Sequence, residues 1–99
     1  MDAPHVWVCK DDGSDLVRAD AIAGIGRDYN GHVTARLAGG DGVAVTLVAP
    51  GTHDGPQPPD DFHRQLIRIV TQLADAAEAF IVRPVCDEAH GWRWITEPL

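Results

Sequence analysis

The hydrophobic period changes once along this chain, and that change constrains the fold more than any other feature. From Val33 to Leu47 apolar residues alternate: Val33, Ala35 and Leu37, then Val43, Val45 and Leu47, with Thr34, Arg36, Ala44 and Thr46 between them. Residues two apart share a face of a strand, so this is a half-buried sheet pattern. From Phe62 onward the steps are three and four. Phe62, Leu66, Val70, Leu73, Ala77 and Phe80 form one stripe, widened by Ile69 and Ala76, which is the signature of an amphipathic helix. Between the two lies "PGTHDGPQPP", holding four of the seven prolines, and neither period can run through it.

Turn signals divide the remainder. "HVWVCK" (His5 to Lys10) is rich in strand-forming residues and stops at "DDGSD". "LVRADAIAGIGRD" resumes an extended pattern, with a break at Ala19-Asp20. Asn30-Gly31 predicts a two-residue hairpin turn with positive φ at both positions. "FIVRPVC" reads as a strand whose Pro84 argues for an edge or a strand end, and "DEAHG" turns the chain into "WRWIT". The expectation is an α+β fold: an antiparallel β-meander of four to six strands with one long amphipathic helix packed on one face. Residues 1–99 form a single domain, with the meander over 1–50, a Pro/Gly connector over 51–59, the helix over 60–79 and a C-terminal strand or hairpin over 80–99. Asp60 is expected to cap the helix and Asp61 to meet its positive end.

Charge narrows the partners. Fifteen acidic residues against eight basic ones leave a net charge of −7, which repels phosphate backbones and anionic membranes. No apolar run is long enough to span a bilayer, and "MDAPHVWVCKDD" lacks the basic start of a secretory signal. Lys10 is the single lysine beside seven arginines, a skew that fits a high-GC bacterial genome and a cytoplasmic protein. Two cysteines, Cys9 and Cys86, do not make a disulfide scaffold.

The chemical constellations are thin. His5-x3-Cys9 and Cys86-x3-His90 together supply a Cys2His2 set, but residues four apart on a strand lie roughly 13 Å apart. A zinc ion needs its ligands within about 2.3 Å, so no metal and no cofactor is expected. His53, Asp54 and His63, beside Asp60 and Asp61, offer an alternative: a divalent-cation site or an acid–base pair in a small enzyme. Ser14 is the only serine and has no nucleophile elbow around it. "AGIGRDYNG" lacks the third glycine of a dinucleotide fingerprint. A further alternative, a nucleic-acid-binding regulator, rests on Arg18, Arg27 and Arg36 lining one sheet face, with Tyr29 alone to stack on bases.

The aromatic residues carry the leading functional expectation. Trp92 and Trp94 share a face if "GWRWIT" is extended. They either complete the core or, with Arg93 and Trp7, form an interaction surface, since tryptophan and arginine are enriched at binding hot spots. The expected protein is a small non-enzymatic interaction or regulatory module. A protein partner or homodimer engages it through a sheet face or edge.

Overall fold

A computed structural model describes residues 6–39, 43–49, 57–76 and 78–99. Over these residues the chain is α+β, with seven strands in two sheets and one helix. The strands are β1 (Val6–Cys9), β2 (Leu16–Arg18), β3 (Ile22–Arg27), β4 (Val33–Leu37), β5 (Ala44–Val48), β6 (Phe80–Asp87) and β7 (Gly91–Pro98). A 3-10 turn at Ala19–Ala21 follows β2, and helix α1 (Phe62–Leu73) lies between β5 and β6. None of the described helical segments is long and apolar enough to cross a membrane.

One meander becomes two sheets. Only β3-β4-β5 is a meander; the other sheet has the order β2-β1-β6-β7. There β1 runs parallel to β6, with Val6 beside Phe80 and Val8 beside Val82. Alternation tells a strand which side to bury, not which distant strand to lie beside. The 3-10 turn separates the sheets, and across it the Ala38 N–H reaches the Ala21 carbonyl at 2.7 Å.

The hairpin at Asn30-Gly31 forms, with different chemistry from the expected turn. Of the two turn residues only Gly31 takes positive φ, at 83°, and no described non-glycine residue does. The Gly31 N–H donates to the Asp28 carbonyl (3.1 Å), and the Asp28 N–H to the His32 carbonyl (3.1 Å). The Asp28 carboxylate also accepts the N–H groups of Asn30 (2.9 Å) and His32 (3.0 Å). Asp28 thus closes a three-residue loop in which only one position needs glycine.

Register irregularities then decide burial in this sheet. The β4–β5 pairing slips between Val33 and Thr34, which leaves both Leu47 and Val48 fully buried. Val33, Ala35 and Leu47 face the core as expected, whereas Val43 precedes β5 and is 53% exposed. In β3 a Cβ on Gly24 would meet the end of the flexible Arg36 side chain, which would have to move aside, whereas the space at Gly26 is open.

Helix α1 is shorter than its apolar stripe. It ends at Leu73, and Phe80 instead heads β6, paired with Val6 on one side and Pro98 on the other. Asp61 occupies the N-cap position, but its side chain bonds none of the first N–H groups. Its carboxylate accepts from the Gln65 side-chain amide instead (3.0 Å), and the Pro59 carbonyl takes the Phe62 N–H (3.0 Å). Asp60 is not the cap; it lies 3.7 Å from Arg27 Nη1.

The core joins both sheets to the helix. Val6, Val8, Val82 and Trp94 from one sheet meet Val33, Ala35, Leu47 and Val48 from the other, with Phe62 and Leu66 of α1 between. Trp94 stacks on Phe62 with ring centroids 4.6 Å apart, and its indole N–H donates to the Phe62 carbonyl at 2.8 Å. Trp92 meets the same ring edge-on at 6.2 Å. A buried indole requires such a polar partner, and it finds one at the start of the helix.

Candidate functional site

The four-stranded sheet has two chemically distinct faces. Val17, Val8, Val82 and Thr96 form one row across it, and Val8 and Val82 are completely buried in the core. Side chains alternate across a strand, so the neighbouring row Arg18–Trp7–Ile81–Glu97 projects from the opposite, outer face. Ile95 beside Arg83 and Val85 beside Arg93 continue it. Trp7, Ile81, Val85 and Ile95 are half-buried. Among the described residues, helix and second sheet both pack on the core side, and the outer face keeps a band of apolar groups among ion pairs.

Those ion pairs are local. Arg83 Nε lies 3.0 Å from Glu97 Oε1, Arg93 Nη2 3.2 Å from Asp87 Oδ2, and Arg18 Nη2 2.8 Å from Asp20 Oδ2. All are substantially exposed, and exposed pairs contribute little to stability. Their effect is on the field: this face is balanced in sign while the chain as a whole carries −7. Asp87 also accepts the His90 N–H at 2.6 Å. That bond, followed by Arg93, holds its carboxyl below the usual aspartate range. Burial pushes the Cys9 thiol up, and the Arg83 guanidinium pulls it partly back.

The edges of this sheet differ as much as its faces. β2, at one margin, has three residues; β7, at the other, has eight. The register of β6 with β7 is unbroken from Phe80↔Pro98 to Asp87↔Gly91. At its far end the Leu99 N–H donates to the Ala79 carbonyl at 3.1 Å. Bonded and non-bonded pairs alternate in an antiparallel ladder, so odd-numbered residues of β7 address β6 while Trp94 and Thr96 direct their backbone groups to the open side. Pro84 and Pro98 then both fall at non-bonded positions, where a missing N–H costs the ladder nothing. Pro84 also lies beyond Val82, the last β6 residue paired with β1. A proline in a central strand is tolerated because its neighbour on that side has ended.

Past the end of β1 lies an open cleft of about 740 Å³ lined by Lys10, Asp11, Asp12, Arg83, Cys86 and Trp92 among others. Its carboxylates are occupied. Asp11 Oδ2 accepts the Ala49 N–H at 2.9 Å, and Asp12 Oδ1 takes both the N–H and the hydroxyl of Ser14. The Ser14 hydroxyl bond, then its N–H bond, draws the Asp12 carboxyl down. The Asp28 carboxyl is lowered chiefly by the His32 N–H. Much of the acidic excess is therefore used to lock turns.

The sequence-predicted residues are dispersed. Of the interaction set, Trp7 and Arg93 lie on the outer face, while Trp92 and Trp94 point to the core, Trp94 being only 8% exposed. Arg18 is on the four-stranded sheet, Arg36 lies over Gly24, and Arg27 binds the Pro58 carbonyl at 2.8 Å. They do not form one basic stripe. His63 stands in the first turn of α1, and its proposed companions His53 and Asp54 lie outside the described residues, as does His5. Cys9 is buried and Cys86 exposed, both as free thiols. Among the described residues no three His, Cys, Asp or Glu side chains gather as metal ligands do. Ile81, Val85 and Ile95 lie outside the sequence-predicted set. Period two in "FIVRPVC" and "WRWIT" already places them opposite the core-facing residues. Compared with protein-family models, with curated proteins and with solved structures, the chain finds no match in any of the three.

Proposed function

We propose that this chain is a non-enzymatic protein-interaction module that associates with a second copy of itself through the β7 side of its four-stranded sheet. One observation carries the reading: β7, eight residues in unbroken register, has a single strand neighbour among the described residues. Open edges are templates for pairing, and chains that avoid association keep them short or bulged. The other margins are so treated. β2 is three residues long, and the pairings of β3 and β5 with β4 both slip register. β7 has no such interruption, and it borders a face that carries a half-buried apolar band on which neither the helix nor the second sheet packs among the described residues. Both described cysteines are free thiols, which fits a reducing compartment such as the cytoplasm.

An edge of this length buries an area at the small end for specific interfaces, so association is expected to depend on concentration. Light scattering from low to high micromolar protein tests it. The weight-average mass rises from 10.7 kDa toward twice that value. A mass that stays at one chain throughout the range overturns the proposal.

A further inference from the structure

Resting on that reading of self-association, we infer that two β7 strands pair antiparallel with Ile95 on the two-fold axis. Each Arg93 then stands opposite the partner's Glu97. The backbone already decides which residues can bond. Trp94 and Thr96 direct their N–H and carbonyl groups away from β6, as the Leu99-to-Ala79 bond requires. The new ladder must therefore bond even-numbered residues to even-numbered residues.

Charge selects the register among those that remain. An axis at Trp94 sets Arg93 against the partner's Ile95, and an axis at Thr96 sets Ile95 against the partner's Glu97. Both leave a charge opposite an isoleucine. An axis at Ile95 bonds Trp94 to the partner's Thr96 in both directions and places Arg93 opposite the partner's Glu97 twice. Opposite charges facing each other across strands favour pairing, and like charges oppose it. All three side chains project from the outer face, where Arg93 and Glu97 are 52% and 42% exposed. The two sheets thus join into one eight-stranded surface with its apolar bands side by side.

The charges also supply the test. Arg93→Glu gives a strand that is acidic at both positions, and Glu97→Arg one that is basic at both. Each alone weakens self-association about tenfold, and an equimolar mixture of the two restores it. The double variant R93E/E97R likewise regains affinity. Within one chain the double variant is the worst case, because the new carboxylate at 93 lies beside Asp87 and the new guanidinium at 97 beside Arg83. Recovery therefore reports contact between chains. A second measurement is covalent. In a Cys86→Ser background, Ile95→Cys forms an inter-chain disulfide under mild oxidation, because facing non-bonded residues bring their Cα atoms to about 4.5 Å. Thr96→Cys, on the other face and off the axis, does not. A dimer indifferent to these substitutions, or one that crosslinks equally at 96, overturns the register and leaves self-association standing. A chain that never dimerises overturns both.

Discussion

At the scale of single residues, the tryptophans show how a hot-spot composition can belong to a core. Trp94 combines a near-parallel stack on Phe62, at 16° between planes, with a hydrogen bond to that residue's carbonyl. It ties the start of α1 to the last strand. Trp94→Ala is expected to lower stability by about 3–5 kcal/mol, the usual loss for emptying a large aromatic site. Trp94→Phe keeps the stack and loses the donor, at about 1 kcal/mol. Denaturant unfolding monitored by circular dichroism separates them. Equal losses for both variants would show that the ring contact contributes nothing. Trp92 and Trp94 alternate with Arg93 along β7, so composition alone joined residues that the strand period sends to opposite faces.

At the scale of elements, what the sequence displays depends on the range of the interaction that decides it. The alternation in β4 and the hairpin before it are local, and both lie where expected, although the turn differs in type and Val43 falls outside β5. The parallel pairing of β1 with β6 is not local, and nothing in "HVWVCK" names its partner. The end of α1 is hidden for a related reason. Phe80 fits the helical stripe, but two strands compete for it and win its backbone. Arg27 is a further long-range tie, legible only once the elements are placed. From β3 it donates to the Pro58 carbonyl at 2.8 Å and to the Asp28 carbonyl at 3.0 Å, fastening the approach to α1 against the hairpin. Its Nε is buried without a partner among the described residues, which offsets part of the gain. Arg27→Met is therefore expected to cost about 1.5 kcal/mol, the lower end for bonds to a charged donor. Hydrogen exchange should speed up at residues 57–62 before it does elsewhere. Unchanged exchange there would mean that Pro58 is held by packing alone.

At the scale of the whole molecule, net charge and local charge pull association in opposite directions, and magnitudes decide between them. Each chain carries −7. Two such charges, separated by about twice the 13.4 Å radius of gyration, repel by roughly 7–8 kcal/mol in unscreened water. The Debye length falls from about 30 Å at 0.01 M salt to about 8 Å at 0.15 M, which reduces that repulsion from about 3 kcal/mol to a few tenths. The Arg93–Glu97 contacts between chains are surface pairs worth about 0.2–1 kcal/mol each, so screening them removes less than it restores. Added salt should therefore tighten the dimer across this range by at least about threefold, in contrast to complexes built on charge attraction. Sedimentation equilibrium at both salt concentrations reads the difference directly. In R93E, where the local pairs are already repulsive and each chain carries −9, both contributions have the same sign and the gain with salt should be larger still. Dissociation on adding salt would mean that attraction between specific charges, rather than backbone pairing against a repulsive background, holds the two copies together.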